Sequence, residues 1–224
     1  MIPLRDTIPS RTVPFVNYVL IGLNALVFLF ELSLGESLNT FIQEFGVVPV
    51  RLAASFSTYN VTPGAILPLF SSLFLHGGWM HLIGNMLFLY IFGDNVEDRF
   101  GHFRYVIFYI VSGICAALTQ VLISPSSEIP MVGASGAIAG VLGAYVLLYP
   151  RARVYTLIPI FFFFQIVELP ALIFLGIWFL MQFLSGLMSL GLGADASGIA
   201  WWAHIGGFAS GALMMPFLRR SRWA

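Results

Sequence analysis

Four side chains in this 224-residue chain have types and spacings suited to acyl transfer: His81, Asn85, Ser135 and His204. A serine hydroxyl is a poor nucleophile until a base takes its proton, and a neutral imidazole is suited to that task. His204 is the candidate base, because His81 comes with an amide one turn away. His81 and Asn85 are spaced i, i+4 and therefore share a helix face. Two side-chain donors aimed at one point can stabilise an oxyanion as a tetrahedral intermediate forms. The backbone N–H of Ser135, near the start of a helix, can add a third donor.

The elements that must hold these residues are membrane helices. Apolar residues make up 59% of the chain and charged ones 9%, with 22 Phe, no Lys and a net charge of zero. An ordinary soluble domain carries about 25% charged residues. Ten Arg and ten Asp plus Glu cannot cover a soluble globule of this size. A soluble enzyme, a nucleic-acid binder and a disordered chain are excluded, which leaves an integral membrane protein. Zero net charge implies no polybasic or acidic partner surface. Cys115, the single cysteine, lies in an apolar run and offers neither a disulfide framework nor a thiolate metal site. The N-terminus carries Arg5 and Arg11 before a long apolar run with no small-residue cleavage site, which reads as a retained first span.

A span needs about 20 mostly apolar residues, fewer where protein shields it. Six stretches qualify: 13–34, 79–96, 103–123, a short Gly-rich 132–149, 169–187 and 199–218. Residues 155–167 are apolar but sit between Pro159 and Pro170, and read as an interfacial connector; the rival is a seventh span. The arginines decide between them. With six spans and an inside N-terminus, Arg5, Arg11, Arg99, Arg104, Arg151, Arg153, Arg219, Arg220 and Arg222 fall on one side, and Arg51 alone on the other. The positive-inside rule asks for this bias, and a seventh span would put the last three Arg on the wrong face. Trp79, Trp201 and Trp202 fall near outer ends and Trp223 near an inner one, as interface anchors. The expected fold is therefore all-α, a six-helix polytopic bundle with both termini cytoplasmic. Residues 1–12 form a cytoplasmic segment, 13–218 the membrane domain and 219–224 a basic cytoplasmic tail. Its outer loop, 35–70, is too long for a plain connection and is expected to have structure of its own.

Counted from the cytoplasmic arginines, Asn85 lies roughly 21 Å up, His81 roughly 27 Å, Ser135 roughly 24 Å and His204 roughly 22 Å. In a hydrocarbon core of about 30 Å, all four share one layer beneath the outer surface. Polar groups inside spans are costly, so three helices placing them at one depth point to a site. The glycines supply the geometry. Gly133-Ala134-Ser135-Gly136 puts the serine on a turn with little bulk around it. Gly136 with Gly140, and Gly207 with Gly211, are G-xxx-G pairs that let helix backbones approach closely. Packed together, they bring Ser135 and His204 within reach.

In these motifs, His81-x-x-x-Asn85, Gly133-Ala-Ser135-Gly136 and Ala203-His204-x-x-Gly207-x-x-x-Gly211, the chain resembles the rhomboid intramembrane serine proteases. The resemblance implies six spans, Ser135 as nucleophile and His204 as base of a Ser–His dyad, and His81 and Asn85 on the oxyanion side. It makes Glu97 and Arg99 a structural Glu-x-Arg signature at the inner end of the second span. It makes 35–70 a first outer loop lying partly in the outer leaflet. Two positions depart from the pattern. Leu67-Pro68 stands where many members have Trp-Arg, and Ala139 stands where some have an aromatic that stacks on the catalytic histidine. Another side chain, a nearby Phe or Trp, is expected to orient His204.

Taken singly, each residue has a plainer reading: His204 bonding a carbonyl between helices, His81 and Asn85 as polar glue, Ser135 at a tight helix contact. Joint depth and spacing favour the site. His76 and His102 read as interfacial. A zinc site from His76, His81 and His204 lacks any carboxylate or thiolate beside it, so no metal or cofactor is expected. Asp94 and Asp195 are the candidates for a third triad member, but Asp94 falls near an inner end and Asp195 in a Gly-rich loop, so a dyad is expected. The expected activity is intramembrane serine endopeptidase, acting on transmembrane protein substrates near the outer face of the lipid bilayer. The expected location is a prokaryotic plasma membrane, in multi-pass form. The alternatives are a catalytically inactive rhomboid-like scaffold or escort that binds transmembrane segments, and a small transporter or channel. A transporter calls for an internal repeat or midplane carboxylates, which the sequence lacks.

Overall fold

The computed structural model describes residues 1–160, 163–192 and 198–219. In chain order, strand β1 (Ile2–Asp6) precedes helix α1 (Phe15–Ser33) and four short helices, α2 (Leu38–Phe45), α3 (Pro49–Ser57), α4 (Pro63–Ile66) and α5 (Pro68–Ser71). Then come α6 (Trp79–Phe100), α7 (His102–Ile123), α8 (Ser135–Leu148), strands β2 (Arg153–Ile160) and β3 (Phe163–Pro170), α9 (Ala171–Leu192) and α10 (Trp201–Leu218). The long helices fall on the six apolar stretches. Among the described residues, α1, α7 and α9 are each long and apolar enough to cross a membrane. α6 qualifies together with the segment Pro63–Phe74, from which it is bent by 78°.

α8 sits at the centre, packed by α6, α7, α9 and α10. Its Ala137, Ala139, Val141, Leu142, Ala144 and Tyr145 are completely buried. At 1.5 Å per residue its 14 residues cover about 21 Å, short of a 30 Å hydrocarbon core. A helix sheathed by protein needs no lipid-matched length, and its small residues let four neighbours close around it.

The all-α expectation is corrected by a three-stranded antiparallel sheet in the order β1-β2-β3. Ile2 pairs with Leu157, Val154 with Leu169 and Thr156 with Val167. The stretch read as a connector falls on the paired strands β2 and β3, so the described residues between Pro159 and Pro170 form no helix. β-branched and aromatic residues favour strands, but an unbroken apolar run hides the two-residue alternation that marks one. β1 pairs with residues some 150 positions away, which no local pattern announces. Within the N-terminal segment Ile2–Asp6 thus pairs into the sheet, and the fifth stretch turns helical only at Ala171 because Leu169 and Pro170 complete β3. Phe161, Phe162, Asp195, Arg220, Arg222 and Trp223, and with them most of the expected tail, lie outside the described residues.

The 35–70 loop has its own helices, α2 to α5. Backbone bonds tie it and the 3-10 turn that follows (Ser72–Phe74) to the segment before α8. Val47 and Met131 form a β-bridge, Val50 N–H donates to the Ser127 carbonyl at 3.0 Å and Gly133 N–H to the Ser72 carbonyl at 2.9 Å. Leu67 is half exposed while Pro68 is buried at the start of α5.

Candidate active site

Ser135 is the first residue of α8 and His204 lies in the first turn of α10, with Ser135 Oγ 2.8 Å from His204 Nε2. The two G-xxx-G faces make that approach possible. A Cβ built at Gly207 would overlap the Gly136 carbonyl oxygen, and one at Gly211 the Gly140 carbonyl oxygen. Gly136 also faces Ala116 of α7, 2.7 Å from where its Cβ would stand, so α8 is pressed from two sides at the serine.

His81 and Asn85 lie in the first two turns of α6, and both line the same cavity as Ser135 and His204, about 640 Å³ in volume. Gly77 N–H donates to His81 Nδ1 at 3.3 Å, which leaves the ring proton on Nε2. Gly133 adopts φ +124°, where a side chain would be strained, and its Cβ would lie 2.7 Å from His81 Nε2 and 3.6 Å from Asn85 Nδ2. Only glycine lets the chain enter α8 while pressing against both donors. Asn85 is buried, yet its Nδ2 has no partner among the described residues. A buried donor without a partner is expensive, and this one stands next to the serine turn. The Ser135 N–H is among the α8 donors that have no intrahelical acceptor, at a helix end that favours negative charge.

Two glutamines complete the site, and the sequence reading missed both. Gln120, in the last turn of α7, accepts from Trp202 N–H at 3.0 Å and Ala203 N–H at 3.2 Å. Its amide oxygen thereby caps α10 directly before His204. Gln182 of α9 is buried, and its Oε1 lies 2.7 Å from His204 Nδ1. The expected aromatic is present as well: the Trp178 ring is tilted at 6.1 Å and the Trp201 ring edge-on at 6.3 Å from the imidazole. The signal for both glutamines was available, since each is an uncharged polar group near the outer end of an apolar stretch. Neither belongs to a motif with a fixed offset from Ser135 or His204.

Glu97 and Arg99 lie at the other end of α6. Glu97 is fully buried and accepts from Val16 N–H at 3.0 Å and Asn17 N–H at 2.7 Å, so its carboxylate caps the positive end of α1. His102 Nδ1 is 2.5 Å from the same carboxylate, with its ring half exposed. Arg99 is half-buried, and one turn before it the Asn95 carbonyl accepts from the Tyr149 hydroxyl, just beyond α8, at 3.1 Å. Asp94 takes a 2.5 Å bond from Ser10 Oγ and does not line the cavity. The interfacial reading of His76 is corrected: it is 2% exposed, its N–H donates to buried Glu31 and its ring packs 5.1 Å from that of His81.

A hydroxyl hydrogen-bonded to an imidazole, facing a buried amide donor and a protonated imidazole nitrogen, can carry out nucleophilic acyl transfer. Helices of membrane-crossing length surround this cavity, which makes the chain a helical membrane protein. Residues 63–221 match the Rhomboid domain family. The chain belongs to the rhomboid family. It is 30% identical over 211 residues to Rhomboid protease GluP of Bacillus subtilis (strain 168), covering 91% of this chain and 36% of that protein. It is 37% identical over 114 residues to RHOMBOID-like protein 5 of Arabidopsis thaliana, covering 51% and 34%, and 29% identical over 138 residues to Putative rhomboid protease YdcA of Bacillus subtilis (strain 168), covering 62% and 64%. The chain thus spans between about a third and two thirds of the length of these relatives.

Proposed function

We propose that this protein is an intramembrane serine endopeptidase that hydrolyses peptide bonds of transmembrane proteins near the outer face of a prokaryotic plasma membrane. The six long helices are its spans, with both termini cytoplasmic. The observation that carries the reading is the 2.8 Å contact between Ser135 Oγ and His204 Nε2 inside a cavity that also holds His81 and Asn85. Ser135 Oγ attacks the scissile carbonyl as His204 Nε2 takes its proton. The oxyanion meets His81 Nε2–H, Asn85 Nδ2–H and Ser135 N–H. Collapse breaks the C–N bond, and His204 gives its proton to the departing amine. Water then attacks the acyl ester with His204 again as base, releasing the carboxylic acid and restoring the hydroxyl.

Substrate must present an extended bond, so Gly- or Ala-containing segments that unwind cheaply near their outer ends suit the site. α9 is the movable wall. Its Phe174 stacks on Phe88 of α6 at 6.3 Å, closing the side of the bundle, and cross-linking α6 to α9 is expected to slow proteolysis. The direct test is cleavage of a transmembrane reporter by purified protein in lipid, with Ser135→Ala and His204→Ala alongside. Loss of cleavage in both supports the dyad. Cleavage that survives Ser135→Ala refutes the mechanism, and reporter binding without cleavage by the unaltered protein marks a scaffold instead.

A further inference from the structure

His204 is held at both ring nitrogens by groups from different helices. Nε2 faces Ser135 Oγ at 2.8 Å from α8, and Nδ1 faces Gln182 Oε1 at 2.7 Å from α9. A neutral imidazole carries one proton, so these two contacts are not independent. With the amide oxygen against Nδ1, the proton must sit on Nδ1, and Nε2 offers a lone pair to the serine hydroxyl. With a donor there instead, Nδ1 must accept, and Nε2–H points at Ser135 as a donor that cannot take a proton. The partner of the distal nitrogen therefore sets whether the base is competent.

We propose that Gln182 is the positioning residue of this site: its amide oxygen selects the Nδ1–H tautomer of His204 and makes the base depend on the seating of α9. The inference rests on the dyad reading above. Three observations bear on it. Gln182 is 8% exposed in a helix with no other amide and no charged side chain, where an amide is retained only with a partner. It lies one turn after Trp178, whose ring flanks the same imidazole, so one face of α9 supplies both contacts. Ala139, one turn after Ser135, is fully buried and offers no ring or acceptor from α8, so that side of His204 is left to α9. α9 is also the least buried of the three long apolar helices, and it meets α10 through an aromatic seam in which Phe179 lies 4.8 Å from Phe208. Displacing α9 to admit a substrate removes the acceptor from Nδ1, and reseating it restores the base around the bound segment.

The test uses the full chain in nanodiscs and reads the rate of Ser135 modification by a small fluorophosphonate, which needs no helix to enter, together with kcat and KM for a transmembrane reporter. Gln182→Leu is expected to lower the labelling rate and kcat by about 10- to 100-fold, with KM within about twofold. Gln182→Glu, which can only accept when ionised, is expected to keep the labelling rate within about threefold of the unaltered protein. Gln182→Lys, which can only donate, is expected to lose more than the Leu variant, since a wrong tautomer costs up to about 10⁴ in serine proteases. If the Leu variant does not fold, the Glu–Lys contrast reads the same property. Equal labelling of all variants, or equal losses in Glu and Lys, overturns the positioning role while leaving the dyad intact. No labelling of Ser135 in the unaltered protein overturns both.

Discussion

The close approach of α8 and α10 is the feature on which the site depends, and Gly207→Ala tests it. A Cβ at Gly207 would overlap the Gly136 carbonyl oxygen, and would lie 3.1 Å from that carbonyl carbon and 3.2 Å from Ala139 Cβ. Two of these obstacles are backbone atoms and the third is a fully buried methyl group, so no side chain can swing aside. Restoring an ordinary C···O approach of about 3.3–3.6 Å requires the helices to separate by on the order of 1 Å. The separation falls at the dyad, because Gly136 follows Ser135 and Gly207 lies three residues beyond His204. Adding that displacement to the 2.8 Å Oγ–Nε2 contact takes it past hydrogen-bond range. A misplacement of this size costs about 100-fold in rate, or about 2.7 kcal/mol of activation free energy. Overpacking should also destabilise the fold by about 1–3 kcal/mol. The assay is kcat for a transmembrane reporter in nanodiscs, with thermal midpoints measured in parallel. Gly22→Ala is the control, since its Cβ meets nothing within 4 Å, and it is expected to match the unaltered rate. A Gly207→Ala protein that cleaves at the unaltered rate would refute the claim that this backbone contact sets the dyad distance.

Three further outcomes are expected. Asn85→Ala should lower kcat by about 10²-fold with little change in KM, because the oxyanion forms only along the reaction; steady-state kinetics on the reporter decides it. Gln120→Leu removes the acceptor for Trp202 and Ala203 N–H, and should lower the thermal midpoint through a cap loss of about 1 kcal/mol and reduce kcat, with KM as the contrast. Burial, and to a lesser degree the charge of Asp94, pushes the Asp6 carboxyl up to about 6 against the hydrogen bond from Tyr145. A carboxyl raised in the folded state binds its proton more tightly there than when unfolded. The fold is therefore favoured at low pH, and this contribution is lost as pH rises from about 4 through about 6. Asp6→Asn should raise the thermal midpoint at pH 7, leave it unchanged near pH 4 and flatten the profile between; an unaltered pH profile would refute it.

Membrane residence, the positions of the long helices and the convergence of His81, Asn85, Ser135 and His204 were legible in the sequence. Each follows from a local quantity: apolar run length, one rise per residue and side chains whose desolvation lipid does not forgive. The glycine spacing also announced the α8–α10 contact, since only absent side chains permit it. What tertiary structure decided depends on partners distant in the chain. The paired strands β2 and β3 recruit β1 from the far N-terminus, and a continuous apolar run does not reveal whether its backbone bonds close within a helix or across strands. Gln120 and Gln182 looked like two polar residues in apolar helices until packing set one on the N-terminus of α10 and the other against His204 Nδ1. A hydrogen bond's worth depends on which acceptor faces which donor at under 3 Å, and that is fixed by how helices seat against one another. The sequence by itself determined that a serine and a histidine on different helices would meet; the tertiary structure decided which side chain faces the other nitrogen of that histidine when they do.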